Sequence, residues 1–176
     1  KAKTDATGIL REWSSTRKQR IVNSVIHEAE AYVFKISVPT TNPKEIPSAI
    51  EALLEENVPI PPSEAVFEYT VIASDEKLNE TTVAVSALPK KAVIEHIELL
   101  RSGGLVVASL ETEARGIARA LCPKDDTSVR AVLSISEKHS VVFIVERGSV
   151  VFSSSIEVGS RDFDKAVAKI FGVTEE

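Results

Sequence analysis

Three β-type segments follow one another without a helix between them near the C-terminal end: Val129–Ile135, Val141–Glu146 and Ser149–Val158. Arg147-Gly148 alone separates the second from the third. A two-residue link forces an antiparallel hairpin, and glycine supplies the positive φ that such a turn needs. Gly159-Ser160 then opens a segment with Phe163, Ala166, Val167, Ile170 and Phe171 on one helical face, and Gly172 closes it. Ser160 is expected to cap this helix, with Asp162 and Asp164 facing its positive end and the apolar stripe turned inward. A meander followed by a helix must be covered by further layers, which the rest of the chain has to supply.

Upstream, strand and helix patterns alternate. Ile21–Ile26 is β-branched, and Tyr32, Phe34, Ile36 and Val38 repeat with period two, so both read as strands. Six of the eight prolines lie between Pro39 and Pro62 and bracket one helix, with Ile46, Ile50, Leu53 and Leu54 as its stripe. Val66–Ile72 and Thr81–Leu88 are two more strands around a charged turn. Pro89 opens a helix whose buried face is Ala92, Val93, Ile94, Ile97 and Leu100, ended by Gly103-Gly104. Leu105–Leu110 is an apolar short strand, expected in the middle of a sheet. Glu111–Leu121 is a helix whose small residues Ala114, Gly116 and Ala118 permit close packing, and Cys122–Asp126 breaks it at the best domain boundary. The first twenty residues are polar with a helical hint at Ile9, Leu10 and Trp13, then a solvated basic cluster at Arg17–Arg20. This order predicts an α/β fold with mixed sheets.

Composition excludes several classes. The chain has 176 residues, 43 % hydrophobic and 27 % charged, with net charge −5; that suits a folded domain and argues against a dedicated nucleic-acid binder. No apolar run approaches 18 residues, and no basic-then-apolar leader opens the sequence. It begins at Lys1 and contains no Met, which is expected of an excised segment of a longer protein. Cys122 is alone, so no internal disulfide forms, and a reducing compartment is expected.

Chemistry is sparse in the sequence. His27, His96 and His139 are far apart and show no metal-ligand spacing. His96, between Glu95 and Glu98, reads as a surface residue; His139 would need a carboxylate partner to act as a base. Ser153-Ser154-Ser155 lacks a nucleophile elbow, and Asp125-Asp126 reads as a solvated turn. No glycine-rich phosphate loop occurs, and Gly159 is the one glycine placed at a strand-to-helix junction where a phosphate could sit.

Particular words in this order carry a resemblance. Gly148-Ser149-Val150-Val151-Phe152, then Ile156-Glu157-Val158-Gly159-Ser160, then Phe171-Gly172-Val173 resemble the second-lobe entry of the PilM family. These are actin-like cytoplasmic proteins of type IV pilus assembly, with an Ile-x-Val-Gly-Gly turn and a helix ending in Gly-Leu or Gly-Val. Ala87-Leu88-Pro89-Lys90, Gly104-Leu105 and Leu110-Glu111-Thr112-Glu113-Ala114 resemble that family's Ala-Ala-Pro-Lys, Ala-Gly-Leu and Asp-x-Glu-Ala words. Tyr32–Pro39, the proline-flanked helix and Phe67–Ile72 resemble its inserted subdomain, and the cell-division protein FtsA shares the layout.

The resemblance implies a partial actin-like (ribonuclease-H-like) α/β fold with an inserted strand-helix-strand-strand subdomain. Residues 1–30 would be a remnant of the first lobe, 31–104 the insertion, 105–124 a crossover strand and helix, and 125–176 the start of the second lobe. Where the family has Asp-Ile-Gly, this chain has Ser134-Ile135-Ser136, followed by Glu137. That departure implies a degenerate phosphate loop, as in the secretion protein GspL, and no catalysis. Ser136, Ser140 and Gly159 are the residues it would place at a phosphate. The segment alone is expected to hold no cofactor, with ATP and magnesium left open for the full-length protein. The implied function is a cytoplasmic scaffold peripheral to the inner membrane. It would take a short PilN-like peptide in a groove formed by Ile21–Val38 and the Ile46–Leu54 helix, with no nucleic acid, the membrane reached only through the partner, and self-association left open. The alternative is an ATP-binding switch or ATPase.

Overall fold

A computed structural model describes residues 2–123 and 126–173. Lys124 and Asp125, part of the expected boundary, lie outside the described residues. The chain opens with helix α1 (Ala2–Ser15) and strand β1 (Ile21–Ile26). After a 3₁₀ turn at Glu28–Glu30 come β2 (Tyr32–Val38), α2 (Ile46–Asn57), β3 (Ala65–Asp75), β4 (Glu80–Pro89) and α3 (Lys90–Ser102). Strand β5 (Val106–Thr112) leads into α4 (Glu113–Leu121), and β6 (Val129–Ile135), β7 (Ser140–Glu146), β8 (Ser149–Ile156) and α5 (Ser160–Phe171) complete the fold.

Among the described residues three small sheets form: parallel β1–β5, antiparallel β2–β4–β3 and antiparallel β6–β7–β8. Parallel strands need a long connection, and here everything from the 3₁₀ turn to α3 is that connection. The connection holds its own core. Val83, Val85 and Ala87 on the central strand β4 are fully buried against Ile46, Ile50 and Leu54 of α2. Ala84, on the opposite face of β4, joins Ile72 and Val151 in a second cluster between the two antiparallel sheets. The Lys35–Glu146 ion pair (2.7 Å) and the Arg147 guanidinium donating to the Ile72 carbonyl (3.2 Å) also tie these sheets together. Ala114 and Ala118 of α4 pack on Val141, Phe143 and Val145 of β7 and on Val33 of β2. The small side chains predicted for that helix are what allow it to lie so close.

Two glycine-containing sites have a clear steric reason. Arg147 and Gly148 both have positive φ (49° and 74°), the backbone of a two-residue hairpin turn. A Cβ on Gly103 would lie 2.5 Å from Leu10 Cβ, so glycine lets α1 dock on the end of α3, where Ser14 Oγ donates to the Gly103 carbonyl (2.7 Å).

Several expectations change. β5 does not lie inside a sheet: among the described residues it pairs with β1 alone, and Val106 is 58 % exposed. Helix α4 starts at Glu113 because Thr112 caps it, its hydroxyl accepting the Arg115 amide. Ile94 on α3 faces water, whereas Leu100 is buried. The α5 stripe is not inward: Phe163, Val167, Ile170 and Phe171 are all more than half exposed, because no described layer lies over them. Gly159, not Ser160, is the cap residue of α5.

Candidate functional site

The fold brings Ser136, Ser140 and Gly159 together where the β6–β7 turn meets the start of α5. The backbone amides around them and the Ser140 hydroxyl are already engaged. The Gly159 amide donates to Asp162 Oδ2 (3.1 Å), the Ser160 amide to the Ser136 carbonyl (2.9 Å) and the Arg161 amide to the Glu137 carbonyl (3.1 Å). Ser136 N–H donates to the His139 carbonyl (2.9 Å), and the buried Ser140 hydroxyl donates to the Val158 carbonyl (2.6 Å). A helix start cradles phosphate with amides that lack partners; at α5 these amides have internal ones. Gly159 is glycine for a different reason than phosphate approach. A Cβ there would lie 2.4 Å from the Glu137 carbonyl oxygen, so the residue permits the turn to pack on the helix. The Asp162 carboxyl, held below the usual carboxylate range by the Gly159 amide, adds negative charge at that helix end.

A groove runs elsewhere, between β3 and the β5–α4 corner. One recess of about 180 Å³ is lined by Val66, Leu88, Val93 and Leu110, and a neighbouring one of about 280 Å³ by Tyr69, Thr70, Ala84 and Val150. Glu68, Ser86 and Arg115 border both. Arg115 makes two bonds to Glu68 (2.8 and 3.4 Å), bridging α4 to β3 between the recesses. Each recess falls below the roughly 300–1,000 Å³ of a small-molecule site; their size suits successive side chains of an extended segment. Among the described residues β3 pairs with β4 alone, so its other edge keeps unpaired backbone groups. The helix predicted from sequence as one wall of a groove has its stripe covered. Ile46, Ile50 and Leu54 are at most 2 % exposed beneath the sheet, and Val33 and Val38 are buried as well.

The histidines were also misplaced by spacing alone. His96 is half-buried and hydrogen-bonded through Nε2 to Ser24 Oγ (2.8 Å), and burial lowers its pKa below the usual 6.5. His139 has the carboxylate it lacked in sequence: Nε2 lies 3.3 Å from both Glu113 oxygens. The His27 ring sits beside it, 4.2 Å between centroids. No local motif connects positions 27, 113 and 139; only the folded chain does.

No protein-family model matches the sequence, and no curated protein sequence matches it. Solved structures do match, and they define the class: the chain has a partial actin-like fold. The fold is PilM-like in particular. The chain matches a chain of a PilM–PilN type IV pilus biogenesis complex with a TM-score of 0.75 at 20 % identity, over 97 % of this chain and 53 % of that one. It matches the cytoplasmic domain of EpsL, an inner-membrane component of the type II secretion system of Vibrio cholerae, with a TM-score of 0.60 at 14 % identity, over 96 % and 63 %. The chain thus spans about half the length of the first and under two thirds of the second.

Proposed function

We propose that this chain is part of an actin-like scaffold in an inner-membrane assembly of the type IV pilus or type II secretion kind. In this reading it works on the cytoplasmic side, catalyses nothing, and grips a short extended peptide of a PilN-like membrane partner along β3. The observation that carries the reading is the pair of recesses beside the free β3 edge. Strand addition supplies affinity through backbone hydrogen bonds, and alternate side chains enter pockets. The aliphatic recess at Val66, Leu88, Val93 and Leu110 fits an apolar side chain. The matched PilM–PilN complex supports a partner of that kind. Among the described residues no helix is long and apolar enough to cross a membrane, which suits attachment through a partner.

Calorimetry with the cytoplasmic terminal peptide of the membrane protein encoded beside this chain tests it. The expected Kd is in the micromolar range, about −8 kcal/mol, and Leu110→Asp weakens it at least tenfold. Absence of binding at roughly millimolar peptide, about −4 kcal/mol, overturns it. The second reading is a nucleotide switch, favoured by the meeting of Ser136, Ser140 and Gly159 at one turn. The engaged amides weigh against it, and ATP with magnesium is expected to leave this segment unbound. Nucleotide binding to the full-length protein that Ser136→Asp or Gly159→Val abolishes would favour the switch instead.

A further inference from the structure

We propose that His27, Glu113 and His139 form a binding site for a divalent transition-metal ion, with zinc the best chemical match. One donor atom from each residue lies within 4.8 Å of the other two. Zinc bonds to imidazole nitrogen and carboxylate oxygen at about 2.0–2.2 Å, so two ligands on one tetrahedral ion stand roughly 3.4 Å apart. His139 Nε2 and the Glu113 oxygens already stand at 3.3 Å. The donor set selects the ion class. Two imidazoles and one carboxylate suit zinc and its neighbours, whereas magnesium and calcium demand oxygen donors. Three protein ligands leave a fourth position for water.

The surroundings favour a cation. Glu28, next to His27, is 2 % exposed. Its Oε2 accepts the amide of Ala114, the residue after Glu113 (2.7 Å), while Oε1 is buried with no partner among the described residues. Glu28 thus keeps one unpartnered oxygen next in sequence to one proposed ligand while bonded to the residue after another. Access is open, because His27 is exposed and borders a depression of about 900 Å³ between α1 and α3. Two local bonds oppose binding. His139 Nε2 is hydrogen-bonded to the Glu113 carboxylate, a bond that the ion must replace. His27 Nδ1 accepts the Ala29 amide (3.1 Å), so an ion on Nε2 moves the ring proton to Nδ1 and removes that bond. The three ligands come from the 3₁₀ turn, the first turn of α4 and the β6–β7 turn. An ion there would pin the β1 end of the chain to the crossover helix and to the C-terminal sheet.

Zinc chloride titrated calorimetrically into metal-stripped protein tests this, with cobalt(II) absorption as the geometric readout. The expected result is one ion per chain, a tetrahedral cobalt spectrum and a Tm that rises with excess zinc. His139→Ala and Glu113→Gln each lower affinity about tenfold or more, whereas His96→Ala leaves it unchanged. Near-UV circular dichroism of each variant reports whether it is folded, and His27→Ala provides a second route if one is not. Absence of binding at roughly 100 µM zinc, about −5.5 kcal/mol, overturns the proposal, as does binding that survives in the folded double variant His27→Ala/His139→Ala.

Discussion

Helices α2 and α5 have the same length, twelve residues each, and each carries an apolar stripe. One buries it and the other does not. Ile50 of α2 is fully buried, whereas Ile170 of α5 is 75 % exposed. Their ends differ in the opposite sense. α2 has no side-chain cap hydrogen bond. α5 is fixed at its start by the Gly159–Asp162 bond and by two carbonyls of the β6–β7 turn, and at its end by Gly172 in the left-handed region (φ 63°). The helix that lacks a covering layer is held by local hydrogen bonds, and the helix that lacks caps is held by burial. A stripe specifies a face to be covered; what covers it is set by the rest of the fold.

Substitutions can break this contrast. Ile50→Ala is expected to destabilise by about 2–5 kcal/mol, through lost burial and the cavity left behind. Ile170→Ala should stay within about 0.5 kcal/mol, as for exposed sites. Urea unfolding followed by circular dichroism reads both, and equal losses would erase the distinction. Gly159→Ala is expected to come next, at about 1–3 kcal/mol, because its Cβ must displace the Glu137 carbonyl. Its effect should appear as weakened protection of the Ser160 and Arg161 amides in hydrogen exchange; unchanged exchange would mean that the turn does not anchor α5.

The smallest effect concerns α3, whose His96 is only partly covered. Its folded pKa is lowered by burial, so the unfolded chain takes up a proton first as pH falls. Stability from this site is therefore present above the unfolded value near 6.5 and declines as pH drops through that value toward the folded pKa. Thermal melts at pH 8 and pH 5.5 should differ less in His96→Asn than in the parent. An equal difference would place His96 in water.

What could be read in advance follows the range of the interaction. Period-two runs such as Tyr32–Val38 and the proline-bracketed stripe of α2 are encoded within a few residues, so both elements were legible. The exposure of Val106 and of the α5 stripe was not, since periodicity carries no information about the neighbouring layer. His96 misled because its partner, Ser24, is 72 residues away. Ser136, Ser140 and Gly159 do meet at one turn. Their engagement was hidden, because Asp162 and the Ser136 and Glu137 carbonyls complete those bonds only once α5 folds back on the turn. The β3 groove had no local signal either: Val66, Leu88, Val93 and Leu110 come from four elements.

The register of β1 against β5 has a consequence for how the chain acquires its shape. Ile21 pairs with Val106 and Ile26 with Thr112, so every rung of that ladder closes a loop holding the whole connection from the 3₁₀ turn to α3. Loop closure is entropically cheaper when the intervening segment is already compact. A connection with its own core under α2 therefore lowers the cost of closing that ladder. Damage deep under α2 would then be felt as a lower effective concentration of one strand for the other, far from the altered side chain.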